Sequence, residues 1–413
     1  MISVDNNPSG TMATDAAQTP RRKSVWKHTP QRSLLRRALF QIHLWVGIAV
    51  SIYAVVIGLT GSLLVFSTEI EGWLEPQVHF VVPEKSSVSL QDEWEWVKAK
   101  HPEHRVLSLG LPDAPDHAAT FALAPKGPLN RAKIVNVYFN LYTGKVLGEQ
   151  TTVEGPPGWV RNLHYFLFAG ETGLIVNGWM AFGLLLLCVT GVVIWWPGIL
   201  RWKRSLVVSW RSNWKRMNWD LHSSVGFWCC AALLVVGFTG VYFAFPNVIG
   251  GLTLVTTRSD IKTTLALMQP SKALPHAKDT SVISLDEVVA KGSKELPQQP
   301  LSYVQLPVGP GAVFTVTQYP QGASPYSRMS SVDIDPYTGK ILRRLNTAQY
   351  PLGMRIVQYY HAVHFGSFGG RGVFGRFVQW LWVLLGLTPA VLAVTGLLMY
   401  WNRYLNQLQR RSV

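Results

Sequence analysis

The chain has 413 residues, 48% of them hydrophobic and only 15% charged, with 17 tryptophans and a formal net charge of +15. Scarce charge beside abundant aromatics is membrane-protein composition. The basic excess does not point to nucleic acid. Residues 1–43, 197–220 and 402–413 hold 16 Lys and Arg against three acids, whereas the rest of the chain holds 22 against 20.

Residues 1–30, rich in Pro, Ser, Thr and Asn, read as disordered. Arg21-Arg22 lies well upstream of the first apolar run. That run is too long for a signal segment and lacks a small-residue cleavage site, so it is expected to remain as a span. It extends from Leu44 to Phe66, with His43-x3-Gly47 at its start and Gly58-Leu-Thr60-Gly61 near its end. About 20 apolar residues cross a bilayer as a helix.

Downstream, Leu90 to Lys100 places Trp94 and Val97 at helical spacing. Val137 to Leu147 alternates into Asn140-Leu-Tyr142-Thr143-Gly144-Lys145, which reads as strand, tight turn and strand, the glycine supplying a positive φ. His164, in Arg161-Asn-Leu-His-Tyr-Phe-Leu-Phe168, precedes the second uncharged span, Leu174 to Trp196, which carries Thr190-Gly191.

After the basic loop, His222-x3-Gly226 opens the third span, Val225 to Phe245, and is followed by Gly237-Phe-Thr239-Gly240. A helix is expected over Leu285 to Leu296, and Asp335-Pro-Tyr337-Thr338-Gly339-Lys340 repeats the earlier turn. His361 and His364, in Tyr360-His-Ala-Val-His-Phe-Gly366-Ser-Phe-Gly369-Gly370, precede the fourth span, Phe377 to Trp401, with Thr395-Gly396.

From His43 and from His222 the partners fall at the same offsets: +4, +15, +17 and +18. The chain therefore reads as a duplication whose unit is span, extramembrane α+β module, span, used twice in one orientation. Short Lys/Arg-rich flanks stay cytoplasmic, which puts both termini inside. The expected organisation is a cytoplasmic segment 1–37, first span 38–66, exported module 67–163, second span with its extension 164–197, and basic loop 198–218. The third span 219–246, second module 247–360, fourth span with its extension 361–402, and tail 403–413 follow. The expected fold class is a membrane protein of four transmembrane α-helices in a parallel internal repeat, with two exported α+β modules.

Symmetry pairs His43 with His222 at the inner face, and His164 with either His364 or His361 at the outer face. Facing imidazoles on separate helices are the axial arrangement of a bis-histidine b-type haem, so two haems are expected. Structural zinc sites gather four ligands and catalytic ones three, whereas these pairs stand a bilayer apart. The stripe His43, Gly47, Ala54, Gly58 and Gly61 shares one helix face. Gly47, Gly61, Gly191, Gly226, Gly240 and Gly396 are expected to give a macrocycle a flat wall, with helix packing as the competing reading.

Cys188, Cys229 and Cys230 all lie in spans and read as packing residues, and there is no CxxCH for covalent haem attachment. His101-x2-His104, within Lys100-His-Pro-Glu-His-Arg105, is a weak metal motif that is discounted in favour of surface residues. Arg161, Arg355 and Arg371 are open between attracting an anionic substrate and neutralising haem propionates.

The Tyr-Thr-Gly-Lys turns, the His-x3-Gly spans, His164, the run from His364 to Gly370 and the Thr-Gly pairs resemble the PepSY-associated transmembrane family, over about residues 35–405. They look most like its FoxB-type ferric-siderophore reductases. The resemblance implies an inner-membrane di-haem oxidoreductase with PepSY-like modules, reducing siderophore-bound Fe(III) outside and releasing Fe(II) for iron acquisition. The alternatives are a haem electron-transfer protein with another acceptor, and a non-redox iron-uptake permease or regulator. No glycine-rich dinucleotide fingerprint is present, so electrons are expected from a separate donor, membrane quinol or a cytosolic flavoprotein.

Overall fold

The computed structural model describes residues 31, 33–277, 280–297, 299–320 and 328–405. The expected disorder of residues 1–30 and most of the basic tail lie outside them. Among the described residues, four helices are long and apolar enough to cross a bilayer: α1 (Leu34–Leu64), α6 (Gly170–Trp195), α7 (Trp214–Ala244) and α12 (Val373–Tyr400). They close a ring in which α1 packs on α6, α6 on α7, α7 on α12 and α12 on α1. Most residues of each span are not buried within the chain, and Trp45, Trp179, Trp228, Phe377 and Trp380 are exposed large apolar residues, as in helices that face lipid.

Small residues hold α1 against α12. A Cβ on Gly58 would come within 2.7 Å of the Gly386 carbonyl, and one on Gly386 within 2.5 Å of Ser62 Oγ. Ser62 donates to the Gly58 carbonyl (2.9 Å) and across the interface to the Val383 carbonyl (3.0 Å). Pro389 interrupts the α12 ladder, and the Leu385 carbonyl it leaves is taken by Thr388 Oγ1 at 2.6 Å.

Outside the ring, α2 (Ser67–Leu74), α3 (Pro76–His79) and α4 (Leu90–Lys100) lead into β1 (His104–Gly110), β2 (Ala119–Pro125), β3 (Val135–Phe139) and β4 (Val146–Thr151). α5 (Gly155–Phe166) then returns to the membrane helices. After α7, α8 (Pro246–Thr256), α9 (Ile261–Met268) and α10 (Leu285–Glu295) lead into β5 (Leu301–Gln305), β6 (Phe314–Gln318), β7 (Ser330–Ile334) and β8 (Ile341–Leu345), and α11 (Leu352–His364) returns.

The two expected α+β modules are joined. All eight strands form one antiparallel sheet, ordered β4-β3-β2-β1-β5-β6-β7-β8, with β1 paired to β5 at Ser108 with Gln305, Leu109 with Val304 and Gly110 with Tyr303. A single core runs across the seam, from Trp94, Val97, Phe121 and Phe139 to Val288, Phe314, Val316 and Ile334. The Asp286 carboxylate, on α10, accepts from the Leu90 (2.9 Å) and Gln91 (3.0 Å) amides at the start of α4. Gln91 Oε1 accepts in return from the Leu285 amide at 2.9 Å. Each half thus caps the helix of the other.

The Asn140 and Asp335 turns form as expected. Asn140 Oδ1 accepts from the Tyr142 and Thr143 amides, Asp335 Oδ1 from those of Tyr337 and Thr338, and Gly144 and Gly339 have φ of +72° and +65°.

Candidate functional site

The ring of spans encloses a cavity of about 1080 Å³, lined among others by His43, His222, His164 and His364. His43 of α1 faces His222 of α7, with ring centroids 6.3 Å apart, and His164 of α5 faces His364 of α11 at 6.5 Å. His361 lines the cavity too, but stacks flat on Phe365 at 4.2 Å, its ring edge-on to Phe243. Of the two candidates, His364 is therefore the one opposite His164. On α1, His43 and Gly61, which touches His164, are 18 positions apart. At about 1.5 Å rise per residue the two pairs stand roughly 27 Å apart, close to the thickness of a bilayer's apolar core.

Every one of the four imidazoles has the same neighbour, a Thr-Gly pair on another helix. His43 Nδ1 lies 3.0 Å from Thr190 Oγ1, His222 Nδ1 2.9 Å from Thr395 Oγ1, His164 Nδ1 2.9 Å from Thr60 Oγ1, and His364 Nδ1 2.9 Å from Thr239 Oγ1. Each threonine spends its own proton within its helix, donating to the carbonyl four residues back: Val56 (2.7 Å), Leu186 (2.7 Å), Val235 (2.9 Å) and Val391 (2.7 Å). The oxygen is left as an acceptor, so Nδ1–H is the donor and Nε2 keeps its lone pair. His364 Nδ1 also lies 3.2 Å from the Val236 carbonyl, which can only accept. Fixing the tautomer from behind in this way prepares an imidazole to bind a metal through Nε2.

The glycines divide into three groups. A Cβ on Gly61 would meet His164 Cε1 at 2.9 Å, on Gly191 His43 Cε1 at 3.3 Å, on Gly396 His222 Cε1 at 3.3 Å and on Gly240 His364 Cε1 at 3.6 Å. These four seat imidazoles, a role the expected macrocycle wall did not include. Gly58 and Gly386 bring helices together. Gly47 and Gly226 do neither. A Cβ there would meet only Leu187 Cδ2 at 3.8 Å or Leu392 Cδ2 at 3.6 Å, so helix packing does not require glycine, and both positions line the cavity beside their histidines.

The residues fit a bis-histidine haem. Two imidazoles that held one ion between them, each through a ring nitrogen at about 2 Å, would have ring centroids roughly 6 Å apart. Both pairs have that spacing, and Gly47 and Gly226 leave the space that a side chain would fill. Burial holds His164 and His364, which lie on α5 and α11 outside the four spans, down at about 3 and about 4. Both are thus neutral at physiological pH, as a metal ligand must be.

The backbone that carries His164 and His364 is built by close approach. α5 turns back into α6 where Gly173 meets the Phe166 carbonyl, and a Cβ there would overlap that oxygen. Gly375 does the same against the Gly370 carbonyl at the entry to α12. Asn177 Nδ2 donates to the His164 carbonyl at 2.7 Å, and Tyr53 donates to Asn177 Oδ1 at 2.5 Å.

The model of the PepSY-associated TM region matches residues 40–403. The chain belongs to that family. It is also similar to an uncharacterized protein of Pseudomonas aeruginosa, 35% identical over 82 residues, a stretch that spans 19% of each chain. In this PepSY-associated chain, among the described residues, the basic ones lining the cavity are Arg36, Arg37, Lys215 and Arg403 towards the His43–His222 end, with Arg131 also on its wall. Arg161, Arg355 and Arg371 do not line it. Arg161 pairs with Glu71 and Arg371 with Asp113. The sequence reading named Thr60, Thr190, Thr239 and Thr395 in the Thr-Gly pairs of the four spans, but not as hydrogen-bond partners of the histidines.

Proposed function

We propose that this PepSY-associated protein is an inner-membrane di-haem oxidoreductase that carries electrons outward and reduces Fe(III) held by a siderophore. The observation that carries the reading is the pair of facing imidazole couples at 6.3 and 6.5 Å, each ring held through Nδ1 by a threonine. His43 and His222 would hold one b-type haem and His164 and His364 the other, with Gly47 and Gly226 beside the inner ring. Bound haem supplies reversible one-electron chemistry between Fe(III) and Fe(II). The chain's part is to fix the four imidazoles, to exclude water with apolar walls, and to offer Arg36, Arg37, Lys215 and Arg403 to propionates at the inner end.

The partition of Lys and Arg supports an orientation with both termini cytoplasmic and the sheet domain exported. The shared offsets and the matching histidine–threonine contacts support a parallel repeat. Electrons would come from a separate donor, quinol or a flavoprotein. A ferric siderophore suits the role of acceptor because its hard oxygen ligands hold Fe(III) far better than Fe(II), so one electron loosens the metal.

Two measurements test the reading. Purified protein is expected to contain two haems per chain with a low-spin bis-histidine spectrum, and His222→Ala to lose one; full haem content in that variant would end the assignment. Chemically reduced protein mixed anaerobically with a ferric siderophore and a ferrous trap is expected to reoxidise as trapped Fe(II) appears. Reoxidation without Fe(II) would favour a different acceptor.

A further inference from the structure

Far along the chain from the cavity histidines, α4 ends at Lys100, and His101 caps it. The His104 amide bonds the His101 carbonyl at 3.0 Å, folding residues 101–104 into a tight turn. This brings the His101 and His104 rings edge-on, with centroids 5.9 Å apart. One ligand atom each from His101, Glu103 and His104 lies within 4.8 Å of the others. A fourth group arrives from β4: Glu149 Oε1 is 3.6 Å from His101 Nε2. The two imidazoles are only 12% and 18% exposed, and His101 Nε2 is buried without a hydrogen-bond partner. None of the four residues lines the haem-sized cavity.

We propose that His101, Glu103, His104 and Glu149 form a separate site for a divalent first-row transition-metal ion, of the Zn(II) or Fe(II) class, on the extramembrane sheet domain. Two imidazoles with two carboxylates suit such ions, whereas Ca(II) and Mg(II) prefer oxygen donors alone. Donors around a tetrahedral ion at about 2.0–2.1 Å lie roughly 3.4 Å apart, so small side-chain rotations close the present cluster onto an ion. The metal-free contacts are the ones an ion would replace: Glu103 Oε1 with His104 Nδ1 at 2.7 Å, and Lys100 Nζ with Glu149 Oε1 at 3.3 Å. An ion would also give the buried His101 Nε2 its partner. The proposal does not depend on the haem assignment.

The test uses the purified full chain in detergent with its native cofactor complement, stripped of labile metal by a chelator. Zn(II) is titrated in competition with a chromophoric chelator, in the presence of excess Mg(II). One equivalent is expected to bind tightly and to resist Mg(II). His101→Ala and, separately, the milder Glu149→Gln are expected to weaken that equivalent by about 10–100-fold or more, while His117→Ala, at another surface histidine, leaves it unchanged. An unaltered far-UV circular dichroism spectrum and elution profile report that each variant is folded, and Glu149→Gln keeps the test alive if His101→Ala does not fold. Absence of the tight equivalent, its displacement by Mg(II), or equal loss in His117→Ala would overturn the proposal.

Discussion

Replacing Thr190 by valine keeps the side chain's size and branching and removes one hydroxyl. That hydroxyl is buried, donates to the Leu186 carbonyl at 2.7 Å and stands 3.0 Å from His43 Nδ1. The Leu186 carbonyl is a helix acceptor with its own backbone partner, so the main loss falls on His43. Its Nδ1–H then has only the Leu187 carbonyl to turn to in an apolar wall, a penalty of up to about 1–3 kcal/mol. The imidazole is then free to put its proton on Nε2, the nitrogen needed for a metal. Loss of such a supporting partner weakens metal binding by about 10–100-fold, and tenfold is about 1.4 kcal/mol, so the two estimates agree. On the proposed di-haem reading, the assay is haem retention per chain during dilution with an apohaem acceptor, read from the absorbance of the haem assigned to His43 and His222, for wild type, Thr190→Val and Thr190→Ser. The valine variant is expected to release the inner haem at about a tenth to a hundredth of the wild-type acceptor concentration, and serine to restore most of the affinity. Equal retention in all three would refute the argument that the threonine fixes the tautomer.

Gly61→Ala is expected to disturb the outer pair, because its Cβ would meet His164 Cε1 at 2.9 Å, whereas Gly240→Ala, at 3.6 Å from His364 Cε1, is expected to be tolerated; optical spectra that change equally in both would contradict this. Gly47→Leu fills cavity rather than packed helix, so it is expected to express and fold normally with about one haem fewer per chain, and unchanged haem content would show that Gly47 is not part of the cradle. Haem-depleted protein is expected to lose stability on acidification. His164 and His364 sit at about 3 and about 4 when folded against about 6.5 unfolded, so the unfolded chain binds more protons below about pH 6.5. Stability is therefore full above that pH and falls towards pH 4 by up to about 1.4 kcal/mol per unit for each histidine; a melting temperature that stays flat from about pH 7.5 to about pH 5 would contradict the burial argument. Asp286→Ala removes the acceptor for the Leu90 and Gln91 amides and is expected to cost about 1–2 kcal/mol, measured as a lowered melting temperature of the sheet domain.

The four spans were legible because a bilayer imposes a length and an absence of charge that one stretch of sequence must satisfy alone. The helices at 90–100 and 285–295 and the two Asx turns were legible for a similar reason. Periodic apolar residues and a glycine at positive φ act within a few residues of one another. The histidines could be placed at span ends, and the equal offsets in the two halves paired His43 with His222.

The rest needed the fold. Whether His361 or His364 meets His164 depends on how α11 is turned, and the two residues are less than one helical turn apart in the same short segment. The Thr-Gly pairs acquire their role only across helices: Thr190 is 147 residues from His43, and Thr395 is 173 from His222. Likewise, two four-stranded modules carry no local signal that β1 and β5 will pair, because hydrogen bonds between strand edges depend on backbone groups common to every residue. Local chemistry in the sequence determined which segments span, turn and carry histidine; which side chains meet was decided by packing between segments more than a hundred residues apart.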